Sequence, residues 1–131
     1  MLVSPEERNV SLGLYFGAYA TPASAHEVAL YVGDPANGGV ELDGTGGYAR
    51  VTVPNDTSTW PDAPAGGAIT SGPVSFPTSS GAWQDSPTHF QLFNADTSDA
   101  GDSGLLSDAV VVAGSGVVVS LALTVFYNDI L

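Results

Sequence analysis

Asp96, Asp99 and Asp102 recur at a three-residue spacing in the segment Asn94-Ala95-Asp96-Thr97-Ser98-Asp99-Ala100-Gly101-Asp102-Ser103-Gly104. Clustered carboxylate oxygens on a turn-rich loop suit a hard cation such as Ca²⁺, which makes these three aspartates candidate metal ligands. The alternating ligands and distal Glu of an EF-hand loop are missing. An acidic hairpin loop kept soluble by its charges is the stronger reading of the same residues. Asp34 and Asp43, in another Gly-rich loop, allow the same comparison. His26 and His89 could share a metal or a proton only if the fold joined two distant strand starts, so ordinary structural roles are the expectation. Asp102-Ser103-Gly104 is too short for a hydrolase motif, and no G-x-S-x-G elbow is present. Gly44-Thr45-Gly46-Gly47 has neither the Lys nor the following helix of a phosphate cradle and reads as a flexible turn. No other cofactor is expected.

Two further groups of side chains bear on binding. Trp60, Trp83, Tyr48 and Phe90 could line a carbohydrate or peptide groove, although aromatics at strand ends serve equally well as plugs of a small core. Arg50 sits mid-strand on the face opposite the apolar one, in a chain rich in carboxylates. An ion pair with an Asp, within the chain or across a subunit boundary, is its expected use.

Composition excludes several classes. Fourteen acidic residues face only two cations, both arginine, for a net charge of −12. That balance cannot neutralise a row of phosphates, so direct nucleic-acid binding is not expected. The absence of Lys removes Schiff-base chemistry, and the absence of Cys removes disulfides, thiolate nucleophiles and thiolate metal sites. With 131 residues, 44% of them hydrophobic, the chain can bury one core and reads as a single domain. Met1 to Arg8 has neither the basic nor the apolar region of a signal peptide. The apolar stretch from Ala109 to Tyr127 is split by Gly114-Ser115-Gly116, so no membrane insertion is expected.

The elements that must position these residues follow from pattern. Ser4-Pro5-Glu6-Glu7 has the form of a helix start with a capping box, and Val10, Leu12, Leu14, Tyr15 and Phe16 supply an apolar face. A short helical anchor over 1–21 is predicted, with Val10 and Leu14 as partner contacts. From 22 onward short strands alternate with turn clusters: Glu27–Val32, Tyr48–Val53, Ala68–Ile69, Val74–Phe76, His89–Asn94, Leu105–Ala113 and Val117–Tyr127. The last keeps period two for eleven residues. Pro54 to Gly67 reads as a long polar loop carrying Trp60. The expected fold is mainly β, a single-domain β-sandwich of jelly-roll type over 22–131 behind one short N-terminal helix.

Five separated blocks add a resemblance. Val28-Ala-Leu-Tyr-Val-Gly-Asp-Pro35, Gly46-Gly-Tyr-Ala-Arg-Val-Thr-Val53, Gly66-Gly-Ala-Ile-Thr-Ser-Gly-Pro-Val-Ser-Phe-Pro77, Trp83 and Thr88-His-Phe-Gln-Leu-Phe-Asn-Ala95 resemble a family of small tailed-phage virion proteins, often labelled tail fibre proteins. The chain departs from the family pattern at Gln91, where Gly is usual, at Asn94, where Asp is usual, and in an enlarged segment from Asn55 to Pro64. The resemblance implies a β-rich, non-enzymatic virion component. Small size and the lack of a fibrous repeat favour a capsid decoration (cement) protein, a homotrimer binding the major capsid protein on the head surface, with Arg50 among the contacts. The alternative is a tail-tip or tail-fibre subunit that meets the host surface through Trp60.

Overall fold

The computed structural model describes residues 23–61 and 67–126. The expected N-terminal helix, with Val10 and Leu14, lies outside the described residues. The described residues are mainly β, in nine strands: β1 (Ala25–Val32), β2 (Val40–Glu41), β3 (Val51–Pro54), β4 (Ala68–Thr70), β5 (Val74–Ser75), β6 (His89–Asn94), β7 (Ala100–Leu105), β8 (Ser120–Leu121) and β9 (Thr124–Phe126). No helix of the described residues is long and apolar enough to cross a membrane.

β1 organises the larger sheet. It pairs with the whole of β6, from His26 opposite Asn94 to Tyr31 opposite His89, and β7 flanks β6. Its other edge is shared, β3 taking Ala25 to Val28 and β2 taking Tyr31 and Val32. Between those two partners the edge at Leu30 would be bare, and a buried unpaired amide costs as much as a lost hydrogen bond. Leu42 N–H donates to the Leu30 carbonyl (3.0 Å), and the Leu30 N–H donates to the Tyr48 hydroxyl (2.9 Å). The Tyr48 hydroxyl donates in turn to Glu41 Oε2 (2.9 Å). A phenol thus stands in for a ladder carbonyl. Tyr48→Phe is expected to lower the unfolding free energy by about 1–3 kcal/mol, because the Leu30 amide keeps its burial and loses its acceptor. Denaturant titration checks this, and a variant as stable as the wild type would refute it.

The second layer is a ribbon. β4 pairs with β9 and β5 with β8, both antiparallel, and the register slips by one residue between the two pairs. The extra residue lies in Ser71-Gly72-Pro73, where Pro73 has no N–H to give to a ladder. Ser71 bridges the gap: its amide donates to the Leu123 carbonyl (2.8 Å), and its hydroxyl accepts from the Leu123 amide (2.8 Å). Ser79 repeats the arrangement with Val117, at 2.8 Å and 3.0 Å. The predicted strand, whose last residue Tyr127 lies outside the described residues, is correct as a burial pattern from Val117 to Phe126 and interrupted as a ladder. Val119, Leu123 and Val125 are buried while Val118 and Phe126 are exposed.

The two layers close on one core. Val28, Leu30, Phe90 and Leu92 of the larger sheet meet Val74, Phe76, Val119, Leu123 and Val125 of the ribbon. Leu105–Ala113 is not a strand beyond Leu105, although Val110 and Val112 are still buried and Val111 is 70% exposed. Instead β7 arises from Ala100-Gly-Asp-Ser-Gly-Leu105, which has turn composition. It fits because Gly104 leaves room for the Phe90 ring: a Cβ there would stand 2.9 Å from Phe90 Cε1.

The segment Gly44 to Gly47 is a packed turn. Gly46 has φ +69°, its carbonyl accepts from Ser80 N–H (3.0 Å), and it lies against the Gly81-Ala82 backbone. That contact brings Tyr48 and Trp83 together, with ring centroids 5.5 Å apart in an edge-to-face arrangement.

Candidate functional site

A cavity of about 270 Å³ opens between the layers at the end where β1 begins and β3 ends. Ile69 of β4, Leu92 of β6 and Val125 of β9 give it an apolar floor. His26 of β1 and Asp102 of β7 add polar groups, and Asn55, Asp56, Thr57 and Trp60 come from the loop after β3. Strand alternation aims the first group inward: His26 shares the face of Val28 and Leu30, and Asp102 that of Gly104 opposite Phe90.

The loop is held by its own hydrogen bonds. Asn55 N–H donates to the Ser24 carbonyl (3.0 Å), and Asn55 Nδ2 to the Ala23 carbonyl (3.0 Å). Asp56 Oδ1 accepts from Ser58 N–H (2.8 Å), and the Asp56 carbonyl accepts from the amides of Thr59 and Trp60. The Ser58 hydroxyl and amide bonds hold the Asp56 carboxyl below its ordinary value. Gly72 N–H donates to the Thr59 carbonyl (2.8 Å), which ties the turn to the ribbon. Trp60 is therefore presented half-buried by a turn that is already formed.

Burial pushes the His26 imidazole below its ordinary value of 6.5, against the opposing pull of the Asp96 charge. A histidine whose folded value is depressed supplies stability above its unfolded value and loses it as the pH falls through the folded one. The thermal midpoint should therefore drop as the pH falls below the ordinary histidine value, and His26→Gln should flatten that stretch of the profile. An unchanged slope in the variant would refute the assignment. Glu41, Asp34, Asp43, Asp56 and Asp96 all lie below their ordinary values, so their contribution is lost only at lower pH, below about 4.

The three aspartates proposed as a Ca²⁺ site do not come together. Asp96 Oδ2 accepts from Ser24 N–H (2.9 Å) and Oδ1 from the Ser24 hydroxyl (2.7 Å), while Asp99 Oδ2 accepts from the Thr97 hydroxyl (3.0 Å). Asp102 lies inside the sandwich at 3% exposure. The reason is that β7 begins at Ala100, so strand geometry carries Asp102 away from the loop that holds the other two. Among the described residues no group of three His, Asp or Glu side chains could hold a metal ion. His26 and His89 lie five rungs apart on the β1–β6 ladder and on opposite faces of the sheet.

Arg50 finds two glutamates rather than an aspartate. Its guanidinium makes a double contact with Glu41 (2.9 and 2.7 Å), reaches Glu27 Oε1 (3.2 Å), and lies 4.0 Å from the centre of the Phe93 ring. All three partners lie on the outer face of the larger sheet, where β1, β2 and β6 run side by side. Burial works to raise the Glu41 carboxyl, and the bonds from Arg50 and Tyr48 more than reverse it.

Residues 7–111 match a family model described as podophage GP4 fiber I protein gp80. The chain belongs to this family. Membership makes it a structural protein of a phage virion. No curated protein matches the chain. The gp80-family match spans β1 through β7 and every cavity residue except Val125.

Within this gp80-family member, three of the four aromatics considered for a groove are core. Tyr48, Trp83 and Phe90 are at most 6% exposed, and Tyr48, Phe76 and Trp83 pack as a trio with centroids 5.5–6.4 Å apart. Trp60 alone of the four lines the cavity. Sequence reasoning found Trp60 and Asp102 separately and missed that His26 lies with them. The available signal was the period-two phase of β1, which sets His26 on the same face as Val28 and Leu30.

Proposed function

We propose that the chain is a fibre subunit of the phage particle and contacts the host surface with the end of the sandwich that carries Trp60. The observation that carries this reading is the match of residues 7–111 to a family described as a fibre protein. A surface cavity walled by a preformed, aromatic-bearing loop supports it, because such loops on a rigid β scaffold are where binding residues concentrate. The work is recognition and carries no chemical step. Assembly as a homotrimer seated on neighbouring virion proteins belongs to the same proposal. Three copies at −12 each would repel one another, so this assembly calls for basic partner surface or a saline medium.

Copy number tests it. Quantitative mass spectrometry of purified particles against the major capsid protein should find a small fraction of one copy per capsid subunit, and free protein should block adsorption to host cells. A ratio near one to one, with adsorption unaffected, would overturn the fibre reading in favour of a head-surface cement.

A further inference from the structure

We infer that the cavity beside Trp60 binds one uncharged pyranose unit of a surface glycan, with the indole as its stacking platform. This rests on the fibre reading and names the class of ligand for that same site.

Three properties of the cavity select the ligand. The first is size: about 270 Å³ is enough to hold a single ring of hexose dimensions. The second is the division of the lining. Ile69, Leu92 and Val125 form an apolar floor under a half-buried indole, while the exposed loop residues Asn55, Asp56 and Thr57 supply amide, carboxylate and hydroxyl groups. A wholly apolar guest would strip water from those groups without replacing its bonds, at a cost for each. A pyranose suits both parts, since one ring face presents C–H groups to an aromatic surface and the ring edge presents hydroxyls that donate and accept.

The third property is charge. The exposed carboxylate of Asp56 lines the cavity and no Arg does; the described cation, Arg50, is committed to Glu27 and Glu41 on the outer sheet face. In a chain of −12, a uronic or sialic acid would meet repulsion from every side. A quaternary ammonium would be attracted by the charge, but its recognition needs a cage of several aromatic faces, and Trp60 is the single aromatic residue of this lining. The uncharged sugar is what remains. The turn that holds Trp60 is hydrogen-bonded before any ligand arrives, so little ordering is left to be done on binding.

The test uses the full chain and its own fluorescence. The chain has two tryptophans, and Trp83 is buried in the core, so a ligand-dependent emission change that vanishes in Trp60→Phe reports on the cavity. The probes are methyl glycosides of glucose, galactose, mannose and N-acetylglucosamine, with glucuronic acid and choline as charged comparisons. Saturation-transfer NMR reads which ring face of the sugar lies against protein.

At least one neutral glycoside is expected to bind saturably at millimolar concentration, with transfer strongest to one ring face. Trp60→Ala should weaken it about tenfold or more. Ile69→Phe, which fills the floor, should abolish it while keeping the wild-type unfolding midpoint. No saturable binding by any neutral glycoside overturns the inference, as does equal binding by Trp60→Ala or a preference for choline or glucuronic acid. The fibre reading fails separately. If free wild-type protein and free Trp60→Ala block adsorption equally, the fibre role stands and the sugar cavity does not.

Discussion

Gly46→Ala is expected to lower the thermal unfolding midpoint by about 5–15 °C, from a loss of about 2–5 kcal/mol. Two costs add. A left-handed backbone at φ +69° costs an L-residue about 1–2 kcal/mol. The new Cβ would also collide with backbone, meeting the Ala82 carbonyl oxygen and standing 2.6 Å from the Gly81 oxygen, and overpacking of that kind costs about 1–3 kcal/mol more. Neither group can swing aside as a side chain would, and Ser80 N–H is bonded to the Gly46 carbonyl itself. Two other glycines separate the terms. Gly116 has φ +80° with open space around its Cβ position, so Gly116→Ala should show the backbone cost alone. Gly114 has neither feature, and Gly114→Ala should be close to neutral. Equal losses at Gly46 and Gly116 would mean that the turn does not pack against residues 81–82 in solution.

The second large effect is at Phe90. This side chain has 0% exposure at the centre of the larger sheet, and Phe90→Ala should cost about 3–5 kcal/mol through lost burial and the cavity left behind. Its packing against Gly104 makes a sharper statement. A Cβ at Gly104 would lie 2.9 Å from Cε1 and 3.0 Å from Cζ of the ring, so Gly104→Ala should destabilise the wild type. With the ring removed, the added methyl enters space that Phe90→Ala has emptied. The double variant should therefore be more stable than the two single losses predict, with a coupling of about 0.5–3 kcal/mol by denaturant titration. Simple additivity would show that the ring does not occupy the place that Gly104 leaves.

That same pair shows why part of the fold escapes the sequence. β6 is legible to the residue, because Phe90 and Leu92 are buried while His89, Gln91 and Phe93 between and beside them are only partly so. β7 is not, because Gly101, Asp102, Ser103 and Gly104 favour turns in isolation and become a strand only where β6 offers an edge and Phe90 demands a glycine opposite. Tertiary context overrides propensity there. The alternation in Val110–Val112 and in Val117–Phe126 tells which side chains are buried, and it is silent on whether backbone or a serine hydroxyl completes the hydrogen bonding. For the site, Trp60 stands out as an aromatic in a polar loop. Its meeting with His26 and Asp102 depends on contacts between distant segments, which residue spacing does not encode. The acidic character of the Arg50 partner was legible from charge balance, and its identity as two glutamates depended on which strands lie beside β3.

The Arg50 clamp also bears on how the protein meets digestive enzymes. Trypsin-like proteases cut after Lys or Arg, and in the described residues that leaves the Arg50–Val51 bond alone. There the side chain that must enter the protease is held by Glu27, Glu41 and Phe93, and Val51 begins a strand paired with Val28. Cleavage must wait for that corner of the larger sheet to open, so its rate tracks the opening free energy of the sheet itself. A particle shed among bacterial proteases of this specificity thus carries a virion protein with only two arginines and no lysine in its sequence, and amine-directed reagents likewise find no lysine to modify.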